Sequence, residues 1–379
     1  MDLTSGLRIA RVHGIDIRAH WSWLLIVGLL TWSLSNGLFG ETIFPQWSTG
    51  QSWAAGLSAT ALFFVSVLLH ELSHALVAQR YGMVVPSITL FVFGGVSNLQ
   101  SEMQTAGQEF RVAIAGPLMS WLLAIVAGGL WLLTTPAGVS AVFGYLAVTN
   151  GVLGLFNLLP GFPLDGGRVF RSMLWARSHD LLQATRVASK VGVAIAYGLI
   201  ALGVIWVLTL NLTGLWYVLI GLFLKSASEG SYAALLMESA LKDVPAAAVM
   251  RPAPEPVPAE LPLRRLIDDH VLATADRAFL VERAGAVVGL ITATDLVRVP
   301  RDQRATASVE SAMVPVDDVV TIAPQTGVIE ALRLMQEHDI HQLPVIDDGS
   351  LVGMLTRGDV MRQIELRTVL GERRKREGG

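Results

Sequence analysis

Between Val112 and Leu164 the chain contains no Asp, Glu, Lys or Arg. The same holds from Ala19 to Gly40, from Thr42 to His70 and from Val191 to Leu224. Runs of this kind limit the fold severely, because about 20 predominantly apolar residues are what a helix needs to cross a bilayer. Composition agrees: 52% of the 379 residues are hydrophobic and 16% are charged, and the mean hydropathy is +0.53. The expectation is a multi-pass α-helical membrane protein with six spans, at about Ala19–Leu38, Trp53–Ala78, Ala113–Leu133, Val139–Leu159, Ala188–Leu210 and Leu215–Ala234. A net charge of −3 gives no sign of nucleic-acid binding, and the absence of cysteine excludes disulfides and thiolate metal ligands. The N-terminus does not read as a cleavable signal peptide.

One of these runs is interrupted in an informative way. His70-Glu71-Leu72-Ser73-His74 places H-E-x-x-H between Ala61–Leu69 and Ala75–Ala78, both apolar. On a helix, His70 and His74 are one turn apart and face the same way, so two imidazoles can hold Zn²⁺ while Glu71 acts as general base. In a soluble helix the motif could be a solvated face. Within a span, each ionisable side chain costs roughly 2.5–3.5 kcal/mol, and three within one turn demand a function. Asp165 is the first acidic residue at the end of the fourth span, after Asn157-Leu158-Leu159-Pro160-Gly161-Phe162-Pro163-Leu164, and is the natural third ligand.

Between the second and third spans, Ile88–Phe93 has β character and Gly94-Gly95 reads as a tight turn. This piece is a short membrane-associated β segment, tolerable at membrane depth only against protein or a cavity, or else a surface hairpin. Lys and Arg are missing from the 1→2, 3→4 and 5→6 connections, whereas Arg8, Arg11, Arg18, Arg80, Arg111, Arg168, Arg171 and Arg177 lie on the other side. The bias puts the N-terminus, the active-site opening and the C-terminal region in the cytosol, with the protein in the plasma membrane. His13 and His20 suit structural roles, and Met250, Met313 and Met354 suit a core.

After Glu238 the chain turns polar. Val288–Leu296 matches Val352–Val360, and Ala248-Val249-Met250 matches Ser311-Ala312-Met313, a repeat of about sixty residues read as helix, strand, strand, helix. The expected organisation is a membrane domain over 1–235, a linker over 236–247, repeats over 248–305 and 306–366, and a charged tail over 367–379.

The membrane half resembles the site-2 protease family of intramembrane zinc metalloproteases. The likeness rests on His70-Glu71-Leu72-Ser73-His74, Phe93-Gly94-Gly95-Val96, Ala115-Gly116-Pro117-Leu118 and Asn157…Pro160…Leu164-Asp165-Gly166, and covers roughly residues 10–230. It implies His70, His74 and Asp165 as zinc ligands, Glu71 as catalytic base and Asn157 as an aid to substrate or transition-state binding. It also implies a β region, with Ile88, Leu90, Gly94 and Gly95, where an unwound substrate adds as a strand. The substrates implied are single-pass transmembrane proteins. The C-terminal half resembles a tandem pair of cystathionine-β-synthase-type (CBS) domains, an α/β module, through those repeats and His341-Gln342-Leu343-Pro344-Val345-Ile346-Asp347. That likeness implies ATP or AMP bound with Thr292, Asp295, Thr356 and Asp359, or else a pair used only to form a homodimer. The first repeat departs from the pattern, with Arg277–Val281 in place of Leu-Pro-Val. The rival reading is a CBS-gated transporter or channel without proteolytic activity, which explains the spans but not the H-E-x-x-H with Asp165.

Overall fold

In the computed structural model, residues 6–92, 94–98, 103–134, 137–273, 278–348 and 350–363 are described. Phe93, Arg277 and the charged tail lie outside them. Two compact units result, Met1–Leu235 and Leu236–Gly379.

The first unit opens on a hairpin that the charge pattern at Arg8, Arg11 and Arg18 conceals. Strands β1 (Leu7–Val12) and β2 (Ile15–Ala19) pair antiparallel around His13-Gly14. Both turn residues have positive φ, 50° and 81°, the backbone that a two-residue hairpin turn demands. β2 then pairs parallel with β3 (Ser87–Phe91), and β3 antiparallel with β4 (Gly94–Asn98), giving the order β1-β2-β3-β4. The β segment is therefore half of a four-stranded sheet. Gly94 and Gly95 belong to β4 and pair with Phe91 and Leu90, so they lie in a strand and not in the tight turn that the sequence suggests.

The helices follow the apolar runs. α1 (Trp21–Ser33) is capped by buried His20, whose Nδ1 accepts from the Ser22 amide at 3.3 Å, and it continues in wider turns through Leu34–Ile43. α2 (Thr49–Arg80) starts on a Ser48/Gln51 capping box. α3 (Ala106–Leu133), α4 (Ala137–Asn157), α5 (Asp165–Ser178), α6 (Leu181–Leu208) and α7 (Gly214–Leu241) complete the unit. Among the described residues, 5 helical segments are long and apolar enough to cross a membrane: Trp21–Ile43, α2, α3, α4 and α6. The sixth expected span falls in α7, which is long enough but not in that set. Its apolar stretch ends at Leu224, and Lys225, Ser226, Ser228 and Glu229 follow.

Side chains are sorted as lipid requires. Ile125, Leu132 and Leu208 are exposed, while Ala59, Thr60, Ser120 and Asn150 are buried. Small residues let helices approach closely where hydrophobicity offers no preference for one partner over lipid.

α5 is held by charge. Glu109, in the first turn of α3, is 0% exposed and accepts from Arg171 of α5, with Nε at 2.8 Å. Arg168 lies 3.8 Å from the same carboxylate, and Arg171 also donates to Thr185 of α6. The preceding loop is packed backbone on backbone. A Cβ on Gly166 would lie 2.2 Å from the Leu158 carbonyl, and one on Gly161 would lie 2.5 Å from Gly192 Cα of α6. Ser228 of α7 donates to the Phe162 carbonyl.

In the second unit the two repeats form like hairpins, β7 (Ala278–Arg283) with β8 (Ala286–Thr292) and β10 (Gln342–Asp347) with β11 (Ser350–Thr356). Each shifts register at the matching place, Val281/Glu282 and Val345/Ile346. Short strands cross over. β5 (Arg251–Pro252) joins β11, while β6 (Val257–Pro258) and β9 (Val314–Pro315) flank the first hairpin. Gly353 and Gly289 make room for Met250 and Met313, since a Cβ on either would lie 2.7 Å from the sulfur. Leu241, Val244 and Ala246, from the stretch expected to be a linker, are buried with Val328, Met335 and Leu343 in one core.

Removing one partner of a buried ion pair costs about 3–5 kcal/mol, whereas replacing both with apolar groups is often neutral. Glu109→Leu should therefore lower the unfolding midpoint in detergent–SDS titrations, and Glu109→Leu with Arg171→Met should recover most of the loss.

Candidate metal centre

His70 and His74 lie toward the far end of α2, about 32 and 38 Å from its start at Thr49 at 1.5 Å per residue. Both are buried, and their Nε2 atoms are 3.3 Å apart. Asp165, the first residue of α5, brings Oδ2 to 3.1 Å from each. Among the described residues these three form a group able to hold a metal ion.

The other ring nitrogens are held from α3. His74 Nδ1 is 2.6 Å from the Val112 carbonyl and His70 Nδ1 is 2.8 Å from Ser120 Oγ. A carbonyl only accepts, so His74 carries its proton on Nδ1 and, when neutral, turns the Nε2 lone pair toward Asp165. A lone pair facing a carboxylate oxygen and a second ring nitrogen is repulsive unless a cation sits among them. Four ligands about 2.0–2.2 Å from Zn²⁺ in a tetrahedron are about 3.3 Å from one another, so both donor set and spacing fit zinc.

Gly116 explains the glycine of Ala115-Gly116-Pro117. A Cβ there would lie 2.1 Å from His74 Nε2 and 2.6 Å from His70 Nε2, so only glycine lets α3 pass this close to the imidazoles.

Glu71 points to β4. Ser97 Oγ donates to Glu71 Oε2 at 3.0 Å, and a Cβ on Gly95 would lie 2.4 Å from Glu71 Cγ. A cavity of about 530 Å³ opens beside these groups. His70, Glu71, His74, Asn157, Asp165 and Arg168 line it together with apolar Phe63, Trp216 and Phe223. Of the β residues expected near substrate, Gly94 and Gly95 line the cavity, whereas Ile88 and Leu90 are buried in β3 and do not. Ser97, Ser120, Gly116 and the Glu109–Arg171 pair were not singled out from sequence for these contacts. A lone serine or a buried carboxylate carries no local signal.

In the second unit the four residues expected at nucleotide form two local caps. Thr292 Oγ1 and the Thr292 amide donate to Asp295, and the Asp295 amide donates back to Thr292 Oγ1. Thr356 Oγ1 donates to Asp359 at 2.6 Å, and Asp359 also accepts from Arg251. The geometry brings each threonine to its aspartate, and the hydrogen bonds described cap the following helices.

Comparison with known proteins places this geometry in context. The family model for peptidase family M50 matches residues 58–137 and 133–199, and that for the CBS domain matches 309–366. Rip3 of Mycobacterium tuberculosis is 34% identical over 371 residues, which is 96% of this chain and 94% of Rip3. The sll0528 protein of Synechocystis is 33% identical over 371 residues, 96% of each chain. Both relatives are named as zinc metalloproteases. The solved site-2 protease from Methanocaldococcus jannaschii matches with a TM-score of 0.44 and 30% identity, over 60% of this chain and 95% of that one.

Gly116→Ala should abolish metal retention. Purified variant protein should hold far below one zinc per chain by elemental analysis, with its helical circular dichroism unchanged.

Proposed function

The chain belongs to peptidase family M50, zinc metalloproteases of the site-2 protease type, and from that premise we propose that it hydrolyses a peptide bond within or near the transmembrane helix of single-pass, membrane-tethered proteins. His70, His74 and Asp165 would hold the zinc. The observation that carries this reading is the meeting of three ligand atoms within 3.3 Å of one another in a cavity that also receives Glu71.

Zinc bound there supplies a Lewis acid that makes water nucleophilic near neutral pH and stabilises the oxyanion of the tetrahedral intermediate. The protein's own residues do the rest. Glu71 takes a proton from the attacking water as its oxygen bonds to the scissile carbon, then delivers it to the leaving nitrogen as the C–N bond breaks. Asn157, at the end of α4, lines the cavity and would bind the substrate backbone or the developing oxyanion. An intact helix hides its carbonyls in its own hydrogen bonds, so the substrate must unwind. β4 is an edge strand with Gly94 and Gly95 on the cavity, a surface to which an extended segment can add.

The arginine bias supports a site and CBS region on the cytosolic side of the plasma membrane. We further propose that the CBS region binds an adenine nucleotide, with Asp295 and Asp359 on ribose hydroxyls and Thr292 and Thr356 near phosphate or sugar, and that binding adjusts cleavage. At Asp359 this requires exchange of its Arg251 contact. A homodimer through the CBS region belongs to the same proposal.

Purified protein in detergent should cleave a single-pass test substrate, and Glu71→Gln should lose at least about 100-fold in rate while keeping its zinc. ATP or AMP, at concentrations where binding is measured, should change the wild-type rate.

A further inference from the structure

The H-E-x-x-H motif supplies a base but not the means of aiming it. A carboxylate has two oxygens and a rotatable terminal torsion, and proton transfer from an attacking water needs one of them held toward the reacting atoms. The ligand histidines are fixed by α3 through Ser120 and Val112. Among the described residues, the hydrogen bond to the Glu71 carboxylate comes from Ser97 of β4, and Gly95, two residues earlier on the same strand, packs on its stem. The backbone at Gly95 crowds the Glu71 stem so closely that a Cβ would lie 2.4 Å from Cγ, and Ser97 Oγ donates to Oε2 at 3.0 Å. Residues two apart on a strand face the same way, so both contacts come from one side of β4.

We propose that Ser97 is a positioning residue for Glu71. Its hydroxyl occupies Oε2, and Oε1 is left as the oxygen that takes the proton from water and returns it to the leaving amine. No hydrogen-bond partner of Oε1 is found among the described residues. Without Ser97 the carboxyl is free to turn, and the proton can be taken on either oxygen. The same strand has one edge paired to β3 and lines the cavity with Gly94, Gly95, Val96 and Ser97. This inference rests on the protease reading above and adds to it the residue that aims the base.

The test compares wild type, Ser97→Ala, Ser97→Thr and Glu71→Gln on the same single-pass substrate in detergent, with zinc content measured for each. Misplacing a reacting group by about 1 Å costs about 100-fold, so Ser97→Ala should lower kcat by about 10- to 100-fold. KM should stay within about 2-fold and zinc at one per chain. Ser97→Thr keeps the hydroxyl on a strand-favouring residue and should recover kcat to within about 3-fold of wild type. Ser97→Ala added to Glu71→Gln should cause no further loss, because there is no base left to aim. An unchanged kcat in Ser97→Ala, a raised KM at unchanged kcat, loss of zinc, or no recovery with threonine would each overturn the proposal while leaving the protease reading intact. Cleavage by Glu71→Gln at the wild-type rate would overturn the protease reading itself.

Discussion

Two imidazoles and a carboxylate packed around one point, inside a helical bundle made for lipid, form an arrangement that holds only if something positive sits between them. Nε2 of His70 and Nε2 of His74 are 3.3 Å apart and share Asp165 Oδ2 at 3.1 Å. At least one of these lone pairs is aimed at the carboxylate by a hydrogen bond on the opposite nitrogen. Much of the surrounding unit serves this repulsive cluster. α3 supplies Val112 and Ser120 to fix the rings and Gly116 to clear them. α5 delivers Asp165 and is itself held to α3 by Glu109 and Arg171. The loop before α5 is threaded so closely past α6 and α7 that Gly161, Gly166 and Gly192 have no space for a side chain.

Chemistry and support are thus divided between elements. α2 carries His70, Glu71 and His74, α5 carries Asp165, and the sheet at their side carries the only side-chain donor to the Glu71 carboxylate found among the described residues. Since β4 is an edge strand, the element that reaches the base is also the one open to an extended segment. For the proposed cleavage this would matter, because a helix exposes its carbonyls only after unwinding.

The chemical core was legible in the sequence because it breaks local rules. Ionisable residues inside an apolar run, and an aspartate after a proline-marked helix end, need a reason for being there, and the structure brings His70, His74 and Asp165 together. The CBS repeats were legible because Val288–Leu296 and Val352–Val360 share Val, Gly, Thr and Asp at matching places within the same apolar pattern. What escaped was whatever depends on tertiary partners. The β1–β2 hairpin read as positive charge, because its strands are short and its arginines dominate. The turn at β4 was misplaced because both glycines pair within the strand, where Gly95 is needed for clearance over Glu71. Glu109 and Arg171 each look like a surface charge until the fold joins them. The expected sixth span, Leu215–Ala234, runs past the apolar stretch of α7, which ends at Leu224, and α7 is not among the helices apolar enough to cross a membrane.

The central claim is that His70, His74 and Asp165 are ligands of one zinc ion. The chain has no cysteine, so Asp165→Cys introduces a sulfur that cannot be confused with any other. X-ray absorption at the zinc edge should show a nitrogen and oxygen shell in the wild type and one additional sulfur at about 2.3 Å in the variant. Zinc bound by Asp165→Cys with no sulfur in its shell would contradict the claim, because the metal would then be held somewhere else.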